Sequence, residues 1–330
     1  MTTAKADPVR RSQAVSAATH VPSADAGRRD AQSRRRRQRR KSRLTAWAFI
    51  APLAVYLAAF YVYPLYRNLD LSLRHYTVRS FVDNNAPFSG WDNFSQVLHD
   101  PTFGPALRNT MVFTLVSILF QYTAGIALAV FFNRRFPLAA TLRALFLIPW
   151  LLPLIVSAST WSWMFNSESG VINYVSHLAG VGPVDWLTSP HWALTSVIIA
   201  NVWIGIPFNL VVLYSGLQNI PGELYEAAAL DGANPWQQFW RITFPLLRPV
   251  SAITVLLGLI YTLKVFDLIW IMTKGGPGDA SSTLATWSYR LGFGSLLPQF
   301  GPGAAVGNIL ILIALVFGLL YIRVQRRQES

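Results

Sequence analysis

The sequence contains no cysteine and only four lysines, and charged side chains make up 13% of its 330 residues. The absence of cysteine excludes disulfide bonds, iron–sulfur clusters and cysteine-ligated zinc. None of the four lysines (Lys5, Lys41, Lys264 and Lys274) follows a glycine, so the Gly-Lys-Ser/Thr ending of a phosphate-binding loop is also absent. We therefore expect that the chain cannot hydrolyse ATP by itself.

The chain also lacks any obvious reactive cluster. Its histidines are scattered, and no two of them stand at the i, i+4 spacing that would put two metal ligands on one helical face. No nucleophile, base and orienting group stand out together. The sequence therefore predicts no metal site, no cofactor and no catalytic residues.

Apolar residues, in contrast, make up 52% of the chain, and the mean hydropathy is +0.35. These residues form blocks that are long enough to cross a hydrocarbon core about 30 Å thick. Only the fifth block contains charges, Lys264 and Asp267. The blocks predict six transmembrane spans at residues 44–66, 111–132, 144–165, 193–217, 250–272 and 303–322.

Helices explain these blocks better than the strands of a β-barrel. Barrel strands are shorter and alternate in polarity, whereas these blocks are apolar on all sides and must satisfy their backbone groups internally. A soluble helical core would leave one wet face at helical spacing. The predicted fold class is therefore all-α, a polytopic membrane protein with about six transmembrane helices.

Positive charge is distributed unevenly along the chain. Thirteen arginines and lysines precede the first span, in residues 1–43, and further arginines follow spans two, four and six. The positive-inside rule then places both termini in the cytoplasm, including a short tail at residues 323–330. Residues 1–43 are predicted to be a disordered arm that contacts anionic lipid. We prefer this interpretation to nucleic-acid binding, because the arm directly precedes a span.

Residues 218–249 form a long loop between spans four and five that carries helix signals of its own. Pro221 suits the first turn of a helix, Glu223 and Glu226 favour its N-terminal end, and Gly232 can end it in a left-handed conformation. The loop is therefore predicted to begin with a short helix.

A second short helix is expected directly after the first. Asn234 can cap it, Pro235 suits its first position, and Gln237 stands at the capping-box position. Pro245 and Pro249 are expected to break the chain before span five. The loop is thus predicted to be a compact helical hairpin on the cytoplasmic face.

The second helix carries aromatic residues at i, i+3 and i+4, namely Trp236, Phe239 and Trp240. Such a stripe fits a protein partner. It fits equally well packing against the protein's own spans or the lipid interface, so the composition leaves both interpretations open.

The spacing of Glu226-Ala227-Ala228, Gly232, Ile242 and Pro245 resembles the EAA loop of ABC-importer permeases. One position departs from the family pattern, because Phe244 stands where leucine is usual before the final proline. Other segments are similar to the sugar-permease branch of that family: Tyr63-Pro64, 71–73, 91–94, Asp100-Pro101, Asn109-Thr110, 143–150, Phe266-Asp267 and 273–277.

The resemblance runs from about residue 44 to the C-terminus and implies the fold of an ABC type I importer permease in a bacterial cell membrane. It further implies that Glu226, Ala227 and Ala228 contact a separate cytoplasmic ATPase dimer, with Gly232 setting the turn and Ile242 and Pro245 completing the motif. The other implied partners are a second, related permease, forming a heterodimer, and an extracytoplasmic sugar-binding protein.

Polar and aromatic residues inside spans four and five are candidates for a substrate pathway, because such residues are costly in a bilayer. They are Asn201, Trp203, Asn209, Lys264, Asp267 and Trp270. An alternative without a role in transport stays open, in which Lys264 and Asp267 neutralise each other's charge and Trp203 only packs against other side chains. Gly205 and Pro207 in span four, and Pro149 and Pro153 in span three, are expected to bend or break these helices around a cavity.

Three alternatives to a sugar permease stay open. The importer could carry a non-sugar solute, or the chain could be a secondary transporter driven by an ion gradient, for which Asp267 is the one available intramembrane carboxylate. It could also be a membrane scaffold whose cytoplasmic loop binds another protein.

Overall fold

The computed structural model describes residues 47–83, 85–134, 136–180, 182–294 and 296–328. The predicted basic tail 1–43, and residues 329–330 of the predicted C-terminal tail, lie outside the described residues. The chain divides into two compact units, Met1–Leu65 and Tyr66–Ser330. Of the first unit, the structure describes the helical residues 47–65.

The described residues form helices and no named strand, in agreement with the predicted all-α class. A single bridge joins Arg74 and Phe88. The helices are α1 (Trp47–Ser72), α2 (Val78–Val82), α3 (Asp92–His99), α4 (Phe103–Phe132), α5 (Ala139–Phe146), α6 (Ile148–Leu151), α7 (Leu154–Met164), α8 (Val171–Leu178), α9 (Ala193–Gln218), α10 (Glu223–Leu230), α11 (Pro235–Leu263), α12 (Asp267–Met272), α13 (Leu284–Phe293) and α14 (Phe300–Gln328).

Five of these helices, α1, α4, α9, α11 and α14, are long and apolar enough to cross a membrane. The segment from α5 to α7 makes a sixth candidate, although it bends by 94° between Leu151 and Leu154. The count of about six membrane helices is therefore confirmed, and the bend lies where Pro149 and Pro153 predict it.

Helices α4 and α9 run parallel and form the closest pair in the second unit. A side chain at Gly125 would overlap Asn209, and a side chain at Gly205 would overlap Gln121, so both glycines permit close approach of the two backbones. Further along the same pair, Ala129 and Leu213 are fully buried. No hydrophobic driving force brings helices together inside a lipid bilayer. The close packing that small residues permit stabilises this helix pair instead.

The two ends of this helix pair are closed differently. Where α4 and α9 end, Gln218 donates a hydrogen bond to Asn133 over 2.5 Å, and we call this the hairpin end. At the opposite end, which we call the loop end, the side chain of Asn109 donates to the backbone carbonyls of Asp279, Ala280 and Ser282 at 3.0–3.1 Å.

The loop end joins segments that are far apart in sequence. The backbone N–H of Leu284 donates to Thr110 over 2.9 Å. Asn93 donates to the carbonyls of Ser72 and Arg74 at 2.9 and 3.0 Å. Asn93 and the Asn109-Thr110 pair belong to the segments that resemble sugar permeases. Asn93 holds α3 to the end of α1, and Asn109 and Thr110 hold the segment 279–284 to the start of α4.

Two predicted helix breaks at proline and glycine are absent from the structure. Pro245 and Pro249 do not break the chain, because α11 is continuous from the loop into the membrane segment. A π-helical turn at Phe239–Thr243 contains Arg241, whose carbonyl would otherwise clash with the ring of Pro245. Gly205 and Pro207 do not interrupt α9 either, since a membrane helix tolerates the loss of one backbone hydrogen bond.

The predicted fifth span at 250–272 also differs from the structure. Helix α11 ends at Leu263, and α12 begins again at Asp267 after a short break. Of the two charges in the predicted span, Lys264 lies in this break and Asp267 is the first residue of α12. The predicted third span at 144–165 is likewise divided, between α6 and α7.

Candidate functional site

The loop after α9 folds as a helical hairpin made of α10, a tight turn and the first part of α11. Gly232 adopts φ +80°, the left-handed conformation that favours glycine. The N–H of Ala233 reaches back to the carbonyl of Ala228 over 2.9 Å, as expected for a helix that ends in this way. The predicted role of Gly232 in ending the first helix is confirmed.

A capping box begins α11. The side chain of Asn234 accepts from the N–H of Gln237, and the side chain of Gln237 accepts from the N–H of Asn234, both over 2.9 Å. Pro235 occupies the first helical position. The first helix begins later than predicted, because Glu223 is its first residue and Pro221 lies before it rather than in its first turn.

Side-chain contacts hold the two arms of the hairpin together. The hydroxyl groups of Tyr225 and Thr243 lie 3.0 Å apart. Trp236, Phe239 and Trp240 contact one another at ring-centroid distances of 5.1–6.4 Å. The aromatic stripe therefore packs on itself, although Trp236 and Trp240 remain exposed.

Helix α10 has no buried residue and presents an uncovered surface. Glu226 and Ala227 are exposed, Ala228 is half-buried, and Leu230 is 90% exposed. Small side chains beside a carboxylate leave room for another protein to approach the backbone closely. Ile242 and Pro245 lie in α11, half-buried, where the hairpin continues into the membrane segment.

The second feature is a cavity of about 350 Å³ among the membrane helices of the second unit. Helices α4, α6, α7, α9 and α11 contribute to its wall. The lining residues, together with Val265 from the break after α11, are Gln121, Trp150, Leu154, Asn201, Ile204, Gly205, Phe208, Gly258, Tyr261 and Thr262.

Two residues with amide side chains lie together in the wall of this cavity, Gln121 on α4 and Asn201 on α9. Gln121 donates to the backbone carbonyl of Asn201 over 2.9 Å. Asn201 is only 6% exposed, and its Nδ2 has no hydrogen-bond partner among the described residues. A buried amide N–H without a partner is costly, so the wall of this cavity carries an unsatisfied hydrogen-bond donor at Asn201.

Aromatic rings form another part of the wall. The rings of Trp150 and Phe208 lie 6.0 Å apart, and those of Phe208 and Tyr261 lie 6.2 Å apart. Gly258 opens the cavity further, because a Cβ there would meet no atom within 4 Å. Convergent amides beside apolar rings are typical of small-molecule sites.

The bend between α6 and α7 helps to form this cavity. Trp150 and Leu154 lie on the two sides of the bend, and both line the cavity. Pro153 cannot continue the preceding helix, so the chain turns and leaves space between α7 and α9. The expectation that the prolines of span three bend it around a cavity is confirmed.

The structure brings only one of the six candidate pathway residues, Asn201, to the cavity wall. Trp203 packs edge-on against Trp161 at 5.7 Å. Asn209 is buried against Gly125, and its side chain donates to the carbonyl of Gly205 over 2.9 Å. Both side chains therefore have packing roles in the described fold.

The other three candidates lie around the break after α11. The Lys264 ammonium lies over the ring of Tyr261, 5.0 Å from its centroid. Asp267 is exposed, and within the described ranges no ion pair links it to Lys264. Trp270 packs against Phe266 and Tyr289.

Sequence analysis missed Gln121, Trp150 and Tyr261. A signal existed for Gln121, since it is a lone amide in an otherwise apolar run, but the prediction considered only spans four and five. Among the described residues, no group of three or more histidine or acidic side chains is placed to hold a metal ion.

Comparison with known proteins gives consistent results. The sequence profile of the family described as "Binding-protein-dependent transport system inner membrane component" matches residues 121–330. The trehalose/maltose transport system permease protein of Thermococcus litoralis is 36% identical over 283 residues, which cover 85% of this chain and 93% of that protein. The lactose transport system permease protein of Rhizobium radiobacter is 32% identical over 290 residues, which cover 87% and 95%.

The fold also resembles a solved structure. A chain in the crystal structure of a bacterial ABC transporter involved in the import of the acidic polysaccharide alginate aligns with a TM-score of 0.76 at 25% identity. The alignment covers 89% of this chain and 99% of that chain.

Proposed function

Because the chain belongs to the family of inner-membrane permease components of binding-protein-dependent ABC transport systems, we propose that it moves a sugar across the membrane of a bacterial cell. The names of two relatives support a sugar, since one carries trehalose or maltose and the other lactose. The cavity of about 350 Å³ among the membrane helices, which we call the central cavity, supports a sugar on chemical grounds.

The observation that carries the proposal is the buried Nδ2 of Asn201, which has no partner among the described residues, in a wall that also holds aromatic rings. Sugar hydroxyl groups accept hydrogen bonds from amides, and the C–H faces of a sugar ring pack against aromatic side chains. In this proposal Asn201 and Gln121 bind hydroxyl groups, while Trp150 and Tyr261 contact the sugar ring. Lys264, held over Tyr261, lies beside the cavity.

Energy would come from a separate ATPase dimer that binds the helical hairpin. Glu226, Ala227 and Ala228 would contact it through the uncovered surface of α10, with Gly232 fixing the angle of this helix. The chain contains no phosphate-binding loop, so in this proposal it is a transport subunit without an ATPase site of its own.

The hairpin end carries Arg134, Arg143, Arg241 and Arg248, and we assign it to the cytoplasmic side, together with both termini. The loop end would then receive the sugar from an extracytoplasmic binding protein. A second, related permease would pair with the chain as a heterodimer and cover part of its exposed apolar surface.

Transport would follow alternating access. ATP binding would draw the ATPase subunits together and move the hairpin, and α11 would carry this motion to Tyr261 and Thr262 in the cavity wall. The cavity would thereby open alternately to the two sides of the membrane.

The test is uptake of labelled sugars into vesicles that contain the complete transporter, with ATP inside and binding protein outside. We expect uptake of a sugar that needs both ATP and binding protein, and no ATP hydrolysis by the purified chain alone. Uptake abolished by an ionophore and independent of ATP would establish the ion-coupled alternative. ATP-dependent uptake restricted to a non-sugar solute would overturn the assignment of a sugar.

A further inference from the structure

A second cavity, of about 830 Å³, opens at the hairpin end, where α4 and α9 both end. The proposed transport function does not use it. Its lining residues are Phe132, Asn133, Arg134, Phe136, Pro137, Leu138, Ala139, Ala140, Thr141, Arg143, Tyr214 and Gln218.

This cavity is positively charged. Arg134 and Arg143 line it, and none of the described lining residues is acidic. The guanidinium of Arg143 lies over the ring of Tyr214, 4.1 Å from its centroid. This cation–π contact holds the guanidinium at the cavity wall, and its N–H groups can still donate to an anion.

Neither arginine uses its charge elsewhere in the part of the chain that the structure describes. No ion pair or side-chain hydrogen bond of Arg134 or Arg143 is found there. Two unpaired cations in one cavity repel each other, and an anion between them would remove this cost.

Apart from Asn133, Thr141 and Gln218, the other lining residues are mainly apolar, and so is the surface around the cavity. Leu138 is 71% exposed at the rim, beside Pro137 and Ala139. Outside the cavity, Phe131, Leu142, Leu145 and Phe146 are also exposed. A free phosphate would gain nothing from these apolar side chains, whereas a molecule with an anionic head and hydrocarbon chains would contact both kinds of surface.

The position agrees with this chemistry. Two membrane helices end at the cavity, which is where lipid headgroups lie along a membrane protein. Basic pockets between membrane helices on the cytoplasmic side are suited to anionic headgroups. We propose that this cavity binds one anionic phospholipid, with its phosphate between Arg134 and Arg143 and its acyl chains against the exposed apolar side chains of α4 and α5.

The experiment measures lipid retained by the purified transporter complex. The complex is exchanged into mixed micelles of phosphatidylglycerol and phosphatidylcholine, and native mass spectrometry counts each bound lipid. We expect the unmodified complex to retain phosphatidylglycerol preferentially. In the double variant Arg134→Gln/Arg143→Gln, the ratio of bound phosphatidylglycerol to bound phosphatidylcholine should fall about fivefold for each arginine removed.

A matched control removes the same charge outside the cavity. Arg241→Gln/Arg248→Gln lies on the same end of the protein, and Arg248 also faces an aromatic ring, that of Phe244, at 5.8 Å. This variant should retain the preference. Equal losses in the two double variants would mean diffuse surface charge and would overturn the proposal.

A second pair of variants avoids the removal of arginine. Leu138 has φ +64°, a conformation that asparagine and aspartate adopt more readily than leucine, so both replacements should fold. Leu138→Asp places a negative charge at the rim and should reduce phosphatidylglycerol retention, whereas Leu138→Asn should not. Indistinguishable retention by these two variants would contradict the proposal.

Two further outcomes would assign the cavity to another ligand. Displacement of the lipid by millimolar inorganic phosphate would identify a site for a free anion. Retention of lipid only when the ATPase subunits are removed would identify a surface for an acidic protein partner. Either result, or the absence of any preference in the unmodified complex, overturns the proposal.

Discussion

Gly205 leaves the space that the side chain of Gln121 occupies. A Cβ at position 205 would overlap the Gln121 amide, which donates to the carbonyl of Asn201 over 2.9 Å. The glycine in α9 therefore determines where the amide from α4 lies on the cavity wall. A residue without a side chain positions one of the two polar groups that we propose to bind sugar.

Replacing Gly125 with alanine should be more harmful to stability than the same change at Gly205. At Gly125 the new Cβ would overlap the Asn209 Cβ and would lie 3.2–3.3 Å from backbone atoms of α9. At Gly205 its nearest atoms would all belong to the flexible Gln121 side chain. We expect Gly125→Ala to destabilise the protein by about 1–3 kcal/mol. Thermal unfolding in detergent measures the difference.

Gly104→Ala is the control, because a Cβ at Gly104 meets nothing within 4 Å. Gly205→Ala should unfold near the temperature of this control but transport sugar more slowly, since Gln121 must move from the wall. If Gly125→Ala is as stable as Gly104→Ala, the inference that Gly125 permits the close approach of α4 and α9 is wrong.

Filling the central cavity should reduce transport without unfolding the protein. Gly258 lines the cavity, and a Cβ at this position would meet no atom within 4 Å, so valine would project into free space. We expect Gly258→Val to lower kcat/KM for uptake by about tenfold or more, since small volume changes in a pocket have effects of this size. Gly318→Val in α14 is the matched control, with equally free space but no contact with the cavity. Equal uptake by the two variants would argue against the cavity as the pathway.

The turn of the hairpin should depend on the backbone of Gly232. Its φ of +80° strains any residue with a Cβ, asparagine least. We expect Gly232→Ala to cost about 1 kcal/mol in the turn and to lower uptake, Gly232→Asn to be nearly neutral, and Gly232→Pro to abolish uptake. Vesicle uptake, normalised to permease in the membrane, checks this order, and unchanged uptake by the proline variant would refute the coupling role.

A bulky charge on the exposed face of α10 should prevent binding of the ATPase. Ala227→Arg places a long cationic side chain where we propose close protein contact, and the variant should remain in the membrane but no longer co-purify with the ATPase. Ala179→Arg, exposed after α8 and outside the hairpin, should co-purify normally. Co-purification of both variants would move the docking surface away from Ala227.

The sequence predicts the elements of this fold well where a local pattern decides them. The capping box of Asn234 and Gln237 and the left-handed Gly232 follow from spacing alone and appear as expected. The effect of proline was less predictable, because it depends on the tertiary setting. Pro153 breaks a helix, whereas Pro207 and Pro245 are accommodated within one.

The cavity could be predicted only in part. Asn201 was identified because amides are rare inside membrane helices, and the same reasoning applies to Gln121. Trp150 and Tyr261 carry no such signal, because aromatic residues occur throughout the spans. They come to one wall through the bend after Leu151 and through Phe208 of α9, whose ring lies near both of theirs.

The unbroken course of α11 has a mechanical consequence. With a rise of 1.5 Å per residue, its 29 residues form a rod about 43 Å long, and the helix has no break between the hairpin and Tyr261. Tilting such a rod by about 10° about one end would displace the other by roughly 7 Å, more than the width of a sugar ring. A displacement applied to α11 at its Trp236 end would therefore produce a displacement of similar size beside the solute.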